Sequence, residues 1–307
     1  MLDVFASCGE SSPPPRHVAR RTFLSRLAAL PLGVSLLGSV ASAAAPTAPA
    51  RADRERVRAV LLSATTLAGG TSLGHAAEGL TELFGDIDRL LLINFASLPA
   101  DRDAYAARMQ RDFDRLVPGI EVDSLHQVPV GKAADAIRRA DAVFVSGGNT
   151  FLLLRELYDR FVVELLRERV LGGMPYAGSS AGANLAGRTI GTTNDFPLVD
   201  IPTRRALGIL PGVFNPHHPD PANEGDFASR QWKIRQYATH HPDEAVIGVT
   251  DPGYLQIRGD ELTLAGREAL ATVQLADRST QVSPGERGNL SNALEALRAD
   301  SNGGQAS

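Results

Sequence analysis

The chain has a single cysteine, Cys8, close to its start. A lone thiol excludes an intrachain disulfide framework and a cysteine-rich zinc site, and Cys8 lies outside the expected folded domain. Basic excess is also missing: 31 Lys and Arg stand against 35 Asp and Glu, a formal charge of −4. No positive field is available to hold nucleic acid, so the expected partner is a small molecule. Metal-ligand spacing is lacking as well. His217-His218 with Asp220, and the later pair His240-His241, match no recognised pattern, so neither metal nor cofactor is expected. Long apolar runs are scarce: Leu27–Val40 is rich in Gly, Ser and Ala and falls short of the ~20 apolar residues of a membrane span. What is present is globular composition, 43% hydrophobic and 21% charged, in a length of 307 residues that suits one large or two ordinary domains.

The first 43 residues read as an address. Arg20-Arg21-Thr22-Phe23-Leu24 precedes the apolar run, and Ala41-Ser42-Ala43 supplies the small residues of a cleavage site. This is the layout of a twin-arginine signal peptide, which predicts export to the periplasm or the extracellular space with no stable membrane span after removal. Removal takes away Arg16, Arg20, Arg21 and Arg26 against Asp3 and Glu10, so the product is more acidic than the precursor. Residues 44–55 are an Ala/Pro-rich linker, 56–281 the folded domain, and 282–307 a polar, Gly/Ser-containing stretch expected to be a flexible tail.

From Val57 short apolar runs alternate with longer amphipathic ones, the pattern of a doubly wound, mostly parallel α/β sheet. Strands are predicted at Val57–Leu62, Leu90–Phe95, Ile120–Leu125 and Ala142–Val145, with helices around Gly74–Phe84, Arg102–Leu116 and Ala133–Arg139. One long helix is expected over Phe151–Leu171, its Leu153, Leu157, Phe161 and Leu165 forming a core-facing stripe. A strand enters Ser180, another covers Ala245–Val249, and a hairpin turns at Gly259-Asp260.

Chemistry concentrates around Gly178-Ser179-Ser180-Ala181-Gly182. Glycines two before and two after a serine allow the tight strand-to-helix turn that projects a nucleophilic Oγ. Ser180 then needs a base, an acid to orient it and N–H donors for an oxyanion. His217 follows a predicted strand and is the candidate base; adjacent side chains on extended backbone diverge, so only one of His217 and His218 can face Ser180. Two residues compete for the acid: Asp195, in the loop after the elbow, and Asp251, after the Val246–Val249 strand. The Ala181 backbone N–H is one candidate oxyanion donor, and Gly147 or Gly148 offers a second. An α/β-hydrolase shares the serine motif, but there the histidine comes last, whereas here a helix, a strand and a hairpin follow His217.

Four motifs in order, Ser146-Gly147-Gly148-Asn149-Thr150-Phe151, Gly178–Asn184, Thr192-Thr193-Asn194-Asp195-Phe196-Pro197 and Asn215-Pro216-His217, make residues 59–274 resemble the peptidase E family of aspartyl dipeptidases. The resemblance implies a class I glutamine-amidotransferase-like, three-layer (flavodoxin-like) sandwich and metal-free hydrolysis of Asp-Xaa dipeptides through a serine triad and acyl-enzyme. It implies Ser180 as nucleophile and His217 as base. The acid is implied at Asp195 or at Asp251, the latter one methylene shorter than the Glu of familiar members. Arg230 falls where the family carries an arginine suited to the substrate's aspartyl carboxylate. Exported cyanophycinases, which release β-aspartyl-arginine dipeptides and share the elbow, are the second reading, and a silent binding protein is the third. A homo-oligomer is compatible with either enzyme.

Overall fold

The computed structural model of the chain describes residues 55–303. Cys8, the twin-arginine segment and the linker up to residue 54 lie outside the described residues. Five strands form the parallel body of a sheet: β1 (Arg58–Leu62), β2 (Arg89–Ile93), β3 (Glu121–Ser124), β4 (Ala142–Val145) and β5 (Tyr176–Ser179), in the order β3-β2-β4-β5-β1. The antiparallel hairpin β8 (Tyr254–Arg258) and β9 (Glu261–Ala265) extends it beyond β1 to seven strands.

Alternation along the strands fills a core on each face. Val60, Leu62, Leu90, Leu92 and Phe144 pack with α1 (Ala77–Phe84) and α2 (Arg102–Leu116), where Phe113 meets Phe84 and Phe144 edge-on. Ala59, Leu61, Leu91, Ile93, Val143 and Val145 point the other way, towards α3 (Ala133–Arg139), α4 (Thr150–Asp159), α5 (Val163–Leu171) and α6 (Ala181–Leu185). A strand buried on both faces needs this unbroken apolar composition. The expected α/β sandwich is therefore present.

Its later half differs from a single doubly wound sheet. The strands β6 (Val213–Asn215) and β7 (Val246–Val249) do not join the first sheet; with β10 (Ala271–Leu275) and β11 (Arg278–Val282) they form a second one, ordered β11-β10-β7-β6. Phe214, Ile247 and Val273 share the core that Leu91 and Val143 line, so the second sheet packs on that face. The long helix α7 (Glu224–His240) lies between β6 and β7 in the chain.

Two further expectations are corrected. The predicted helix Phe151–Leu171 is two helices. Val162 N–H donates to the Leu157 carbonyl and Phe161 N–H to that of Tyr158, the paired bonds of a Schellman stop, and Phe161 takes the left-handed position at φ 55°. Phe161 is 91% exposed, so it leaves the stripe in which Leu153 and Leu157 remain fully buried. Nor are residues 282–303 a flexible tail. Val282 ends β11, and α8 (Asn289–Gly303) buries Leu290, Leu294 and Leu297 in the main core. Leucines spaced by four and then three residues define one helical face, which the surrounding small and polar residues hide from a composition count.

Candidate active site

The C-terminal ends of β1, β4, β5, β6 and β7 converge, the edge at which open α/β sheets bind ligands. Between β5 and α6 the chain turns at Ser180, which holds φ 50° and ψ −108°. A non-glycine residue there stores strain on the order of 1–3 kcal/mol. The turn is tight enough to require its glycines: a Cβ on Gly178 would stand 2.4 Å from the Gly182 carbonyl oxygen, and one on Gly182 would stand 2.2 Å from that of Val145. Backbone bonds fix the serine on both sides, from Ser180 N–H to the Leu62 carbonyl at 3.0 Å and from Asn184 N–H to the Ser180 carbonyl at 2.9 Å.

His217 follows β6 and Asp251 follows β7. Ser180 Oγ lies 2.8 Å from His217 Nε2, and His217 Nδ1 lies 2.6 Å from Asp251 Oδ1. Burial pushes the Asp251 carboxyl up, but the hydrogen bond and charge of His217 outweigh it, with help from the Ser63 hydroxyl and His75, and hold it below the ordinary aspartate value. An ionised Asp251 keeps the proton on Nδ1 and leaves the Nε2 lone pair for Ser180.

Asp195 is elsewhere. Its Oδ2 accepts the Thr150 backbone N–H at 2.7 Å and the Thr150 hydroxyl at 2.5 Å, at the start of α4. A carboxylate suits that position, where the helix leaves N–H groups without intrahelical partners. Of the two acids weighed from sequence, the structure brings Asp251 to His217 and Asp195 to a helix terminus. Asp195 and its neighbours still brace the site. Asn194 Nδ2 donates to the Pro216 carbonyl at 2.9 Å, and buried Asn215 donates through Nδ2 to the Thr192 carbonyl at 2.6 Å.

The glycine pair after β4 divides its tasks. Gly147 borders the serine: a Cβ there would stand 3.1 Å from Ser180 Cβ. Gly148, at φ 131°, presses on the Ala96 carbonyl instead. The Ala181 N–H is the first of α6 and directly follows Ser180.

Beside His217 and Asp251 opens a cavity of about 560 Å³ that Asp220, Asn223, Asp226, Arg230 and Lys233 also line. Arg230, on α7, donates to Asn215 Oδ1 at 2.9 Å and to the His217 carbonyl at 3.4 Å. Both are neutral acceptors. Burial holds the guanidinium below its ordinary value, with the Asp226 charge opposing that shift. Among the described residues, no group of three or more His, Cys, Asp or Glu could hold a metal ion, and no helix is long and apolar enough to cross a membrane.

His218 turns inward and is 3% exposed. Its Nδ1–H donates to the Pro219 carbonyl at 3.0 Å, and Gln231 Nε2 donates to its Nε2 at 3.2 Å. Burial pushes its pKa down from 6.5 to about 4, and the Arg230 charge adds to the shift while the Pro219 carbonyl opposes it. Between those two values only the unfolded chain binds the proton, so stability falls as pH drops through this window, by about 3 kcal/mol in all. Urea unfolding of wild type and of His218→Gln at pH 7.5 and 4.5 measures it: the variant should lose less stability across the window than wild type. An equal loss would assign the acid sensitivity to other groups.

Residues 59–265 match peptidase family S51. Peptidase E of Shewanella denitrificans is 36% identical over 215 residues, covering 69% of this chain and 89% of its own. A probable alpha-aspartyl dipeptidase of Drosophila melanogaster is 37% identical over 215 residues, covering 67% of this chain and 85% of its own. The chain belongs to peptidase family S51. This S51 peptidase also shares its fold with solved structures of low identity. A putative peptidase E protein from Listeria monocytogenes superposes with a TM-score of 0.54 at 20% identity, covering 69% of this chain and 99% of that one. A peptidase from an acI-B1 Actinobacterium gives 0.54 at 19%, covering 76% and 97%.

One residue at the centre of the peptidase's site carries no signature in the sequence. Ser63, directly after β1, is fully buried and touches both His217 and Asp251. The only hint is a polar residue at the end of an otherwise apolar strand.

Proposed function

We propose that this S51 peptidase is a serine dipeptidase that hydrolyses Asp-Xaa dipeptides, with Ser180 as nucleophile, His217 as general base and Asp251 as the acid that orients it. The observation that carries the reading is the unbroken chain from Ser180 Oγ through the His217 ring to Asp251, at 2.8 and 2.6 Å, next to a cavity that holds Arg230. His217 Nε2 takes the hydroxyl proton as Ser180 Oγ attacks the scissile carbonyl, and Asp251 stabilises the imidazolium that forms. The Ala181 N–H and the amides of the Gly147-Gly148 turn border the place where the oxyanion develops. Collapse of the tetrahedral intermediate passes the proton from His217 to the leaving amine and leaves an aspartyl ester on Ser180. Water, activated by the same ring, then hydrolyses the ester.

Arg230 supplies the preference for aspartate. A guanidinium with only neutral acceptors gains most from a carboxylate, which accepts both arms of its fork, whereas an amide leaves the cation poorly paired. The relatives named peptidase E and alpha-aspartyl dipeptidase agree with that choice. The test is a panel of Asp-Xaa, Asn-Xaa, Glu-Xaa and β-aspartyl-arginine dipeptides, with kcat/KM as the readout. Asp-Xaa should lead, and Arg230→Ala should shrink the Asp-over-Asn ratio by about 1.5–3 kcal/mol, roughly ten- to 150-fold. Cleavage of β-aspartyl-arginine alone would give the site a cyanophycinase-type substrate. An Asp preference that survives Arg230→Ala would move the specificity determinant to another cation.

A further inference from the structure

The reacting groups are carried by two different sheets. Ser180 ends a strand of the seven-stranded sheet, while His217 and Asp251 end strands of the four-stranded one. A displacement of about 1 Å between catalytic groups costs on the order of 10²-fold in rate, so something must hold the two sheets in register at this edge. The helix that follows the nucleophile contributes one tie, from Asn184 Nδ2 to the Phe214 carbonyl on β6.

At the end of β1, three ties run through one side chain. Ser63 belongs to the end of β1, the strand that pairs with β5 and so with the nucleophile's own support. Its Oγ accepts the His217 backbone N–H at 2.7 Å and lies 2.8 Å from the Val249 carbonyl and 3.2 Å from Asp251 Oδ1. These partners stand 154, 186 and 188 residues away in the chain, so no local structure produces the arrangement. A hydroxyl is suited to it because it accepts one bond while sharing its single proton between the carbonyl and the carboxylate. His217 has its own need of a partner. It holds φ 52° without being glycine, and the direction of its ring depends on that backbone staying where it is.

We infer that Ser63 is a positioning residue, its hydroxyl holding the His217–Asp251 pair of the second sheet at the reach of the nucleophile carried by the first. The inference rests on the serine-peptidase reading above. The two are separable, because Ser180→Ala tests that reading by turnover, whereas Ser63 variants keep Ser180 and can be read without substrate.

The experiment compares the full-length chain with Ser63→Ala and with the near-isosteric Ser63→Cys. Asp-Xaa kinetics supply one readout, and the far-downfield proton resonance of the His217 Nδ1–H···Asp251 bond the other. Both variants should lose about 10- to 100-fold in kcat with KM within about threefold, the scale expected when a buried N–H loses its acceptor. In both, the resonance should move upfield or broaden, while it persists in Ser180→Ala. If the alanine variant does not fold, the cysteine variant decides on the same two readouts. A kcat within about twofold of wild type in a folded variant overturns the inference. So does a kcat loss that leaves the resonance in place.

Discussion

Ser180→Ala is expected to lose at least about three orders of magnitude in kcat/KM for Asp-Xaa dipeptides while keeping the fold, because members of a serine triad act as a unit. The fold survives because the replaced Oγ hydrogen-bonds to His217 Nε2, a contact of the site, and the backbone bonds to Leu62 and Asn184 that hold the turn are untouched. Steady-state kinetics and labelling by a fluorophosphonate, with circular dichroism as the folding control, measure it. A variant that turns over like wild type would exclude a covalent serine mechanism and send the chemistry to an activated water.

Asp251→Asn should follow closely, with a loss of about 10²- to 10⁴-fold in kcat. The asparagine is nearly the same shape, so the 2.6 Å contact to Nδ1 remains available, but its amide can present N–H to the ring and favour the tautomer with the proton on Nε2. That tautomer cannot accept the Ser180 proton. Asp195→Asn makes the informative comparison. Its carboxylate serves the start of α4, so its replacement should cost about 1 kcal/mol of stability and leave kcat within an order of magnitude. Paired kinetics and thermal melts distinguish the two residues, and the reverse ranking would return the catalytic role to Asp195.

The pair shows where sequence reasoning reaches its limit. The elbow was legible because its requirement is local: Gly178 and Gly182 lie within four residues of each other, and each meets a carbonyl that a Cβ would strike. The parallel half of the fold was legible for a similar reason, since strands such as Ala142–Val145 are apolar throughout and helices such as Arg102–Leu116 carry their own period. Asp195 and Asp251 could not be ranked, because each lies in a turn-forming context and their difference is made only by contacts with distant chain. Ser63 illustrates the same limit more sharply. One serine after an apolar strand has no pattern until β6 and β7 are brought beside it. Phe161 failed for the opposite reason, as a stripe of correct spacing continued past a backbone stop that no side-chain pattern reveals. The second sheet escaped because β10 and β11 bury their residues against a partner sheet whose existence the local pattern does not announce.

The division of the site between two sheets also sets an order in time. A chain made from its N-terminus completes β1 to β5, and with them the serine turn, long before β7 exists to carry the acid. Even then the first sheet is unfinished, because β8 returns from beyond β7 to pair with β1 along Arg58–Leu62. These contacts join residues nearly two hundred positions apart, the class of pairing that forms slowly. On the proposed mechanism, the unfinished peptidase therefore carries a serine with no base, and hydrolytic competence arrives only when β6, β7 and β8 are in place.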